Sequence, residues 1–164
     1  MNIVPADFER HARPMLDLLN DAILHTTWVY DCEPHPEPYM REYFGEHAAG
    51  RYPILAAESD DGAFLGFASC GPYRHHQGYL HAAEHSVYVV PSVSRKGSGT
   101  ALMARLEDEC RENGIHTLIG VIDSENLPSI ELHRKCGYEY AGTVREAGRK
   151  FGRWLSIAYY QKIL

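Results

Sequence analysis

EHSVYVVPSVSRKGSGTALMARL, residues 84–106, decides how the rest of the chain is read. It starts as a strand, because Val87, Tyr88, Val89 and Val90 are β-branched or aromatic and dense enough to be buried. Pro91 stops that strand, and residues 92–94 make a polar turn. Gly97 and Gly99 then open a helix in which Leu102, Met103, Leu106 and Cys110 recur at helical spacing. Strand, glycine loop and helix N-terminus in succession present several unpaired backbone N–H groups, and the helix end favours negative charge. Arg95 and Lys96 place cations beside them. The stretch reads as an anion cradle for phosphate groups.

Spacing narrows the kind of cradle. A dinucleotide fingerprint needs a third glycine where Leu102 stands, and no G-x-x-x-x-G-K-[ST] run occurs. With 164 residues the chain is expected to form a single domain, 1–164, large enough for a real core. No apolar run approaches membrane-spanning length, and MNIVPADFER lacks a signal-peptide pattern, so a cytoplasmic protein without a membrane partner is expected. Cys32, Cys70, Cys110 and Cys136 form no C-x-x-C pair and read as reduced thiols. The ten histidines show no zinc-like spacing, and the adjacent His75 and His76 diverge in an extended chain, so no metal is expected. A formal charge of −6 argues against nucleic acid as the main partner. The cluster Arg145, Arg149, Lys150 and Arg153 reads as a solvated hairpin.

Outward from the central stretch, Ile3 and Val4 suggest a first strand, and Asp7 a cap for a helix to about residue 24. Pro14 inside it predicts either a kink or a start near Arg13. A proline-rich aromatic segment, LHTTWVYDCEPHPEP, precedes a second helix over 38–49 with Gly50 as its stop. Strands follow over 52–58 and 63–69, joined by the turn Ser59-Asp60-Asp61-Gly62, then a Tyr- and His-rich loop over 71–81. Past the long helix, ended by Asn113 and Gly114, come a buried strand over 117–122 and a short helix over 129–136. Strands over 138–144 and 151–161 close the chain. The order β-α-α-β-β-β-α-β-α-β-β predicts one mixed α/β domain.

Two motifs in that order resemble the GNAT N-acetyltransferases. Ser94 to Gly99, SRKGSG, resembles their [RQ]-x-x-G-x-G/A signature, with Ser94 where the family has Arg or Gln. ENLPSIELHRKCGY, residues 125–138, resembles their N-x-x-[SA]-x-x-x-[YH]-x-x-x-G-[FY] segment. More narrowly, LNDAILHTT, AEHSVYV, LHRKCGY and GRKFGRWLSIAYYQ resemble the phosphinothricin and methionine sulfoximine acetyltransferase branch. The resemblance implies a GNAT fold: a central, mostly antiparallel mixed sheet flanked by helices. It implies acetyl transfer from acetyl-coenzyme A, as cosubstrate, directly to the amino group of a small amino-acid-like acceptor. It also implies a homodimer, for which Phe151, Trp154 and Tyr159 fit an apolar interface. An acyl-coenzyme A sensor that acetylates nothing, or an acetyltransferase for an unrelated amine, are the alternatives; Ser94 keeps the sensor open.

Direct transfer to an amine with a pKa near about 10 requires its ammonium to lose a proton first. The resemblance makes Glu84, the carboxylate of AEHSVYV, the general base, against an ordinary solvated strand-end glutamate. It places His133 where relatives carry a tyrosine that protonates the departing thiolate; here the residue is an acid, a second base or a packed helix histidine. For the coenzyme it implies backbone pairing along Val87, Tyr88 and Val89. The cradle is Ser94, Arg95, Lys96, Gly97, Ser98, Gly99 and Thr100, with Asn126 and Ser129 beside the pantetheine arm. On the acceptor side, Tyr73, Arg74 and His81 precede Glu84, Arg74 being the candidate carboxylate clamp. Thr27, Trp28 and Tyr30 either wall the other side or merely pack the loop. Relatives in this branch tend to carry a further arginine where this chain has Leu80, which points to a less anionic acceptor.

Overall fold

A computed structural model describes residues 1–48, 51–93 and 97–164. In chain order the elements are β1 (Asn2–Pro5), α1 (Phe8–His25), α2 (Pro38–Ala48), β2 (Ile54–Glu58), β3 (Phe64–Pro72) and β4 (Ala82–Val89). They continue as α3 (Ser98–Glu112), β5 (Thr117–Asp123), α4 (Leu127–Lys135), β6 (Glu139–Lys150) and β7 (Arg153–Ile163). The sequence of strands and helices is the expected one, and the differences lie at element ends. Helix α1 starts at Phe8, after the expected Asp7 cap, and runs through Pro14. Asp7 accepts from the Arg10 N–H at 3.0 Å, and His11 Nδ1 accepts from the Asp7 N–H at 2.8 Å. Gly71 and Pro72 extend β3 instead of opening the loop, which carries a short 3₁₀ turn at Gln77–Tyr79. Phe151 and Gly152 form the β6–β7 turn rather than strand, both with left-handed backbone (φ 50° and 76°). The expected stop at Gly50 lies outside the described residues.

The strands form one sheet in the order β1-β2-β3-β4-β5-β7-β6. Every pairing is antiparallel except β4 with β5. Strand alternation sends successive side chains to opposite faces. Leu55, Ala57, Ala68, Cys70 and Ala83 therefore pack with Leu102, Met103, Leu106 and Cys110 of α3. Ile54, Phe67 and Tyr88 pack on the other face with Ala12, Met15 and Leu16 of α1 and Met40 of α2. Leu102, Met103 and Leu106 are fully enclosed, each side chain contributing roughly 1.5–3 kcal/mol on burial. All four cysteines are free thiols, and the Cys70 and Cys110 sulfurs meet at 3.3 Å inside the first cluster. No described helix is long and apolar enough to cross a membrane.

Candidate active site

The parallel pair holds only over Ala82–His85 against Thr117–Gly120. Beyond it, β4 stays on β3 as far as Val89, and β5 stays on β7 as far as Asp123. The two strands therefore part at His85 and Gly120 and open a gap between them. Val90 N–H bonds the Leu65 carbonyl on the β3 side at 2.9 Å, and Ala82 carbonyl accepts from Tyr73 on the same side. By alternation the backbone groups of Val87 and Val89 turn toward the gap, whereas those of Tyr88 turn toward β3. Val87 and Val89 can therefore pair an extended ligand arm as an added strand.

Helix α3 begins at the wide end of this gap. Gly97, at φ 94°, is its N-cap, and among the described residues no side chain bonds the first-turn N–H groups. That left-handed turn suits glycine, and a β-carbon there would point into open space. The first-turn N–H groups of Ser98, Gly99 and Thr100, at the positive helix end, suit a diphosphate. Ser94, Arg95 and Lys96 lie outside the described residues.

Glu84 lies where the strands are still paired, opposite Gly71 on β3 and Ile119 on β5. It points to the face of the sheet on which α1 and α2 lie, as do Ser86 and Tyr88. The side chain is half-buried, and desolvation holds its carboxyl above the usual range, with the Arg74 guanidinium pulling the other way. Arg74 lies 4.2 Å over the Tyr73 ring, and its Nη1 donates to the Tyr73 carbonyl at 2.7 Å. Tyr79 meets Tyr73 edge-on. Tyr88 is pushed up to about 12 by burial, so its phenol stays protonated, and Tyr43 from α2 bonds the Ser69 hydroxyl. Glu84, Arg74 and Tyr73 are thus brought together.

The other face holds a different set. His85, Val87 and Val89 alternate away from Glu84, toward α3 and α4. His133 projects from α4 into that layer, 3% exposed, with its ring centroid 5.0 Å from His85 and 5.1 Å from Tyr138. Its Nδ1 donates to the Ser129 carbonyl at 2.7 Å, which leaves a bare lone pair on Nε2. Desolvation lowers its pKa and keeps the ring neutral, against the opposing pull of the Ser129 carbonyl; His85 is pushed down to about 3. Gly120 makes room for the pair: a β-carbon there would sit 2.6 Å from His133 Nε2 and 3.3 Å from His85 Nε2. Glu84 and His133 therefore stand on opposite faces of β4. Asn126 caps α4 by accepting the Ser129 N–H at 3.2 Å, the ordinary cap role. His81 is held by the Gly114 carbonyl at 2.7 Å, behind the C-terminal end of α3, and does not share the Glu84 face.

The segment after α1 is fastened to the outer strands. Thr27 Oγ1 donates to Asp123 Oδ2, Lys150 Nζ donates to the Val29 carbonyl at 2.6 Å, and Tyr30 OH donates to the Ser156 carbonyl at 3.2 Å. Trp28 stays exposed between these ties. Lys150 corrects the expectation of a fully solvated basic hairpin: it is buried under that segment, while Arg145, Arg149 and Arg153 are exposed. Gly120 and Asp123 carry no motif, and His85 lies within AEHSVYV and Lys150 within GRKFGRWLSIAYYQ without being singled out there as site residues.

Residues 20–138 fit the acetyltransferase (GNAT) family, to which this chain belongs. It is 37% identical over 147 residues to the L-methionine sulfoximine/L-methionine sulfone acetyltransferase of Pseudomonas aeruginosa, covering 90% of this chain and 86% of that protein. It is 33% identical over 158 residues to the phosphinothricin N-acetyltransferase of Streptomyces coelicolor, covering 95% and 92%. A Salmonella typhimurium structure solved with its cofactor acetyl-CoA superposes with a TM-score of 0.96 at 34% identity, over 100% of this chain and 94% of that one.

Proposed function

We propose that residues 1–164 work as one N-acetyltransferase domain that transfers acetyl from acetyl-coenzyme A to the amino group of a small amino-acid-like acceptor. The observation that carries the assignment is the half-buried Glu84, its carboxyl held above the usual range, at the point where β4 and β5 part. The cosubstrate supplies an activated thioester; every other task falls to the chain. Glu84 takes the proton of the acceptor ammonium, directly or through water, and a raised pKa brings the carboxylate closer to the amine it must deprotonate. A Val87 or Val89 N–H supports the negative charge that develops on the thioester oxygen. The thiolate leaves unaided, because the His133 ring is neutral and its N–H is committed to Ser129. Alignment of both substrates along the gap supplies most of the rate.

Arg74 is the one cation the geometry brings toward Glu84 among the described residues, and a guanidinium there suits an acceptor carboxylate. Methionine sulfone, methionine sulfoximine and phosphinothricin are the acceptors that the relatives' names support. Phe151 and Trp154, 60% and 61% exposed at the tip of β6–β7, suit a homodimer contact, and the cytoplasm is the proposed location. The test is thiol release from acetyl-coenzyme A across free amino acids and these three analogues. Turnover that Glu84→Gln lowers about 10²–10⁴-fold, with coenzyme affinity kept, supports the assignment. Coenzyme binding without turnover on any amine would replace it with an acyl-coenzyme A sensor.

A further inference from the structure

We propose that Asp123 and Lys150 are positioning residues that clasp the segment Thr26 to Tyr30 as a fixed wall of the acceptor cleft. The inference rests on the acceptor-side assignment above and adds to it the residues that build its outer wall. Both side chains are charged groups only 3% exposed, and both reach the same short segment from different strands. Asp123, the last residue of β5, accepts the Thr27 hydroxyl on Oδ2 and the Glu125 N–H on Oδ1 at 3.0 Å. Lys150, the last residue of β6, gives its ammonium to the Val29 carbonyl at 2.6 Å. Burying a charge is costly unless it is hydrogen-bonded, so each charge depends on the segment as much as the segment depends on it.

A third tie shows that the sheet is shaped for this contact. The Tyr30 ring lies on Gly148 of β6, where a β-carbon would come within 2.5 Å of Tyr30 Cδ2, and its hydroxyl reaches the Ser156 carbonyl. Thr27 and Tyr30 are anchored while Trp28 between them is left 53% exposed. On the Glu84 face α1 and α2 pack over β2, β3 and β4, so the clasped segment is what borders the β5–β7–β6 half of that face. A loose segment of that composition costs ordering entropy each time a ligand binds against it; a clasped one has lost that entropy on folding.

The test combines acceptor kinetics with hydrogen exchange of residues 26–31, which reads the clasp without any turnover. Asp123→Asn, Lys150→Met and Thr27→Val are each expected to raise exchange in that segment and acceptor KM about tenfold. KM for acetyl-coenzyme A is expected to stay within about twofold, and Thr27→Ser, which keeps the hydroxyl, to leave exchange of residues 26–31 at the parent's level. In Asp123→Asn/Thr27→Val the two effects should fall short of multiplying, since both act on the Thr27–Asp123 contact. Unchanged exchange overturns the clasp, as does raised exchange with unchanged acceptor KM, or an equal rise in both KM values. If no amine is acetylated at all, the functional assignment fails, while exchange still reports whether the segment is held.

Discussion

Gly120→Ala tests the packing where β4 and β5 part. The added β-carbon would lie 2.6 Å from His133 Nε2 and 2.9 Å from its Cδ2, well inside contact distance. A side-chain tip normally yields, but this ring has little room. Its Nδ1 is bonded to Ser129, His85 is stacked on one side, and the Tyr138 and Tyr160 rings stand at 5.1 Å and 6.3 Å. Overpacking of a closed core costs about 1–3 kcal/mol. For a chain of this length that corresponds to a melting point lower by roughly 2–12 °C. Gly45→Ala is the control: it lies in α2, a β-carbon there meets nothing within 4 Å, and alanine should raise stability by a few tenths of a kcal/mol or more, up to about 1. Thermal melts of the two variants and parent, followed by thiol release, make the measurement. A Gly120→Ala protein melting with the parent would refute the claim that the His85–His133 pair is rigidly held. A lower melt with undiminished turnover at low temperature would separate that pair from the gap.

Two further outcomes are expected. Gly97→Val should abolish acetyl-coenzyme A binding by titration calorimetry, because valine resists φ 94° and would fill the open space at the α3 N-terminus; retained affinity would move the cradle elsewhere. Glu58 accepts His11 Nε2–H at 2.8 Å and pairs with Arg10, and His11 first, then Arg10, hold its carboxyl below the usual range against desolvation. A depressed native pKa adds stability that is present above the unfolded-state value and is lost as pH falls through the native one. The melting-point gap between parent and Glu58→Gln should therefore close on acidification from neutral pH, and a gap independent of pH would refute the pairing.

Much of the fold was legible because it follows from local rules. The period-2 run before Pro91, the helical spacing of Leu102, Met103, Leu106 and Cys110, and the Ser59–Gly62 turn each act within a few residues. Asp7 as cap and Gly97 as helix opening were readable for the same reason. The end of β3 at Pro72 was not, because a partner distant in sequence sets it: β4 carries β3 as far as Pro72.

Local chemistry likewise marked Glu84 and Arg74 as neighbours in a site, since both lie on one short stretch leading into one strand. Which face each residue takes depends on register, and register belongs to the sheet. Pairing of His85 with Gly120 sends His133 behind the strand while Glu84 looks forward, so the two stand on opposite faces of β4. Lys150 shows the same limit: in sequence it is one of several basic residues, and only the docking of Val29 makes it a buried one. The sequence alone settled the strands and the helices, because those depend on neighbours along the chain. The tertiary structure decided which side chains meet, because burial and strand register arise only when distant segments close on one another.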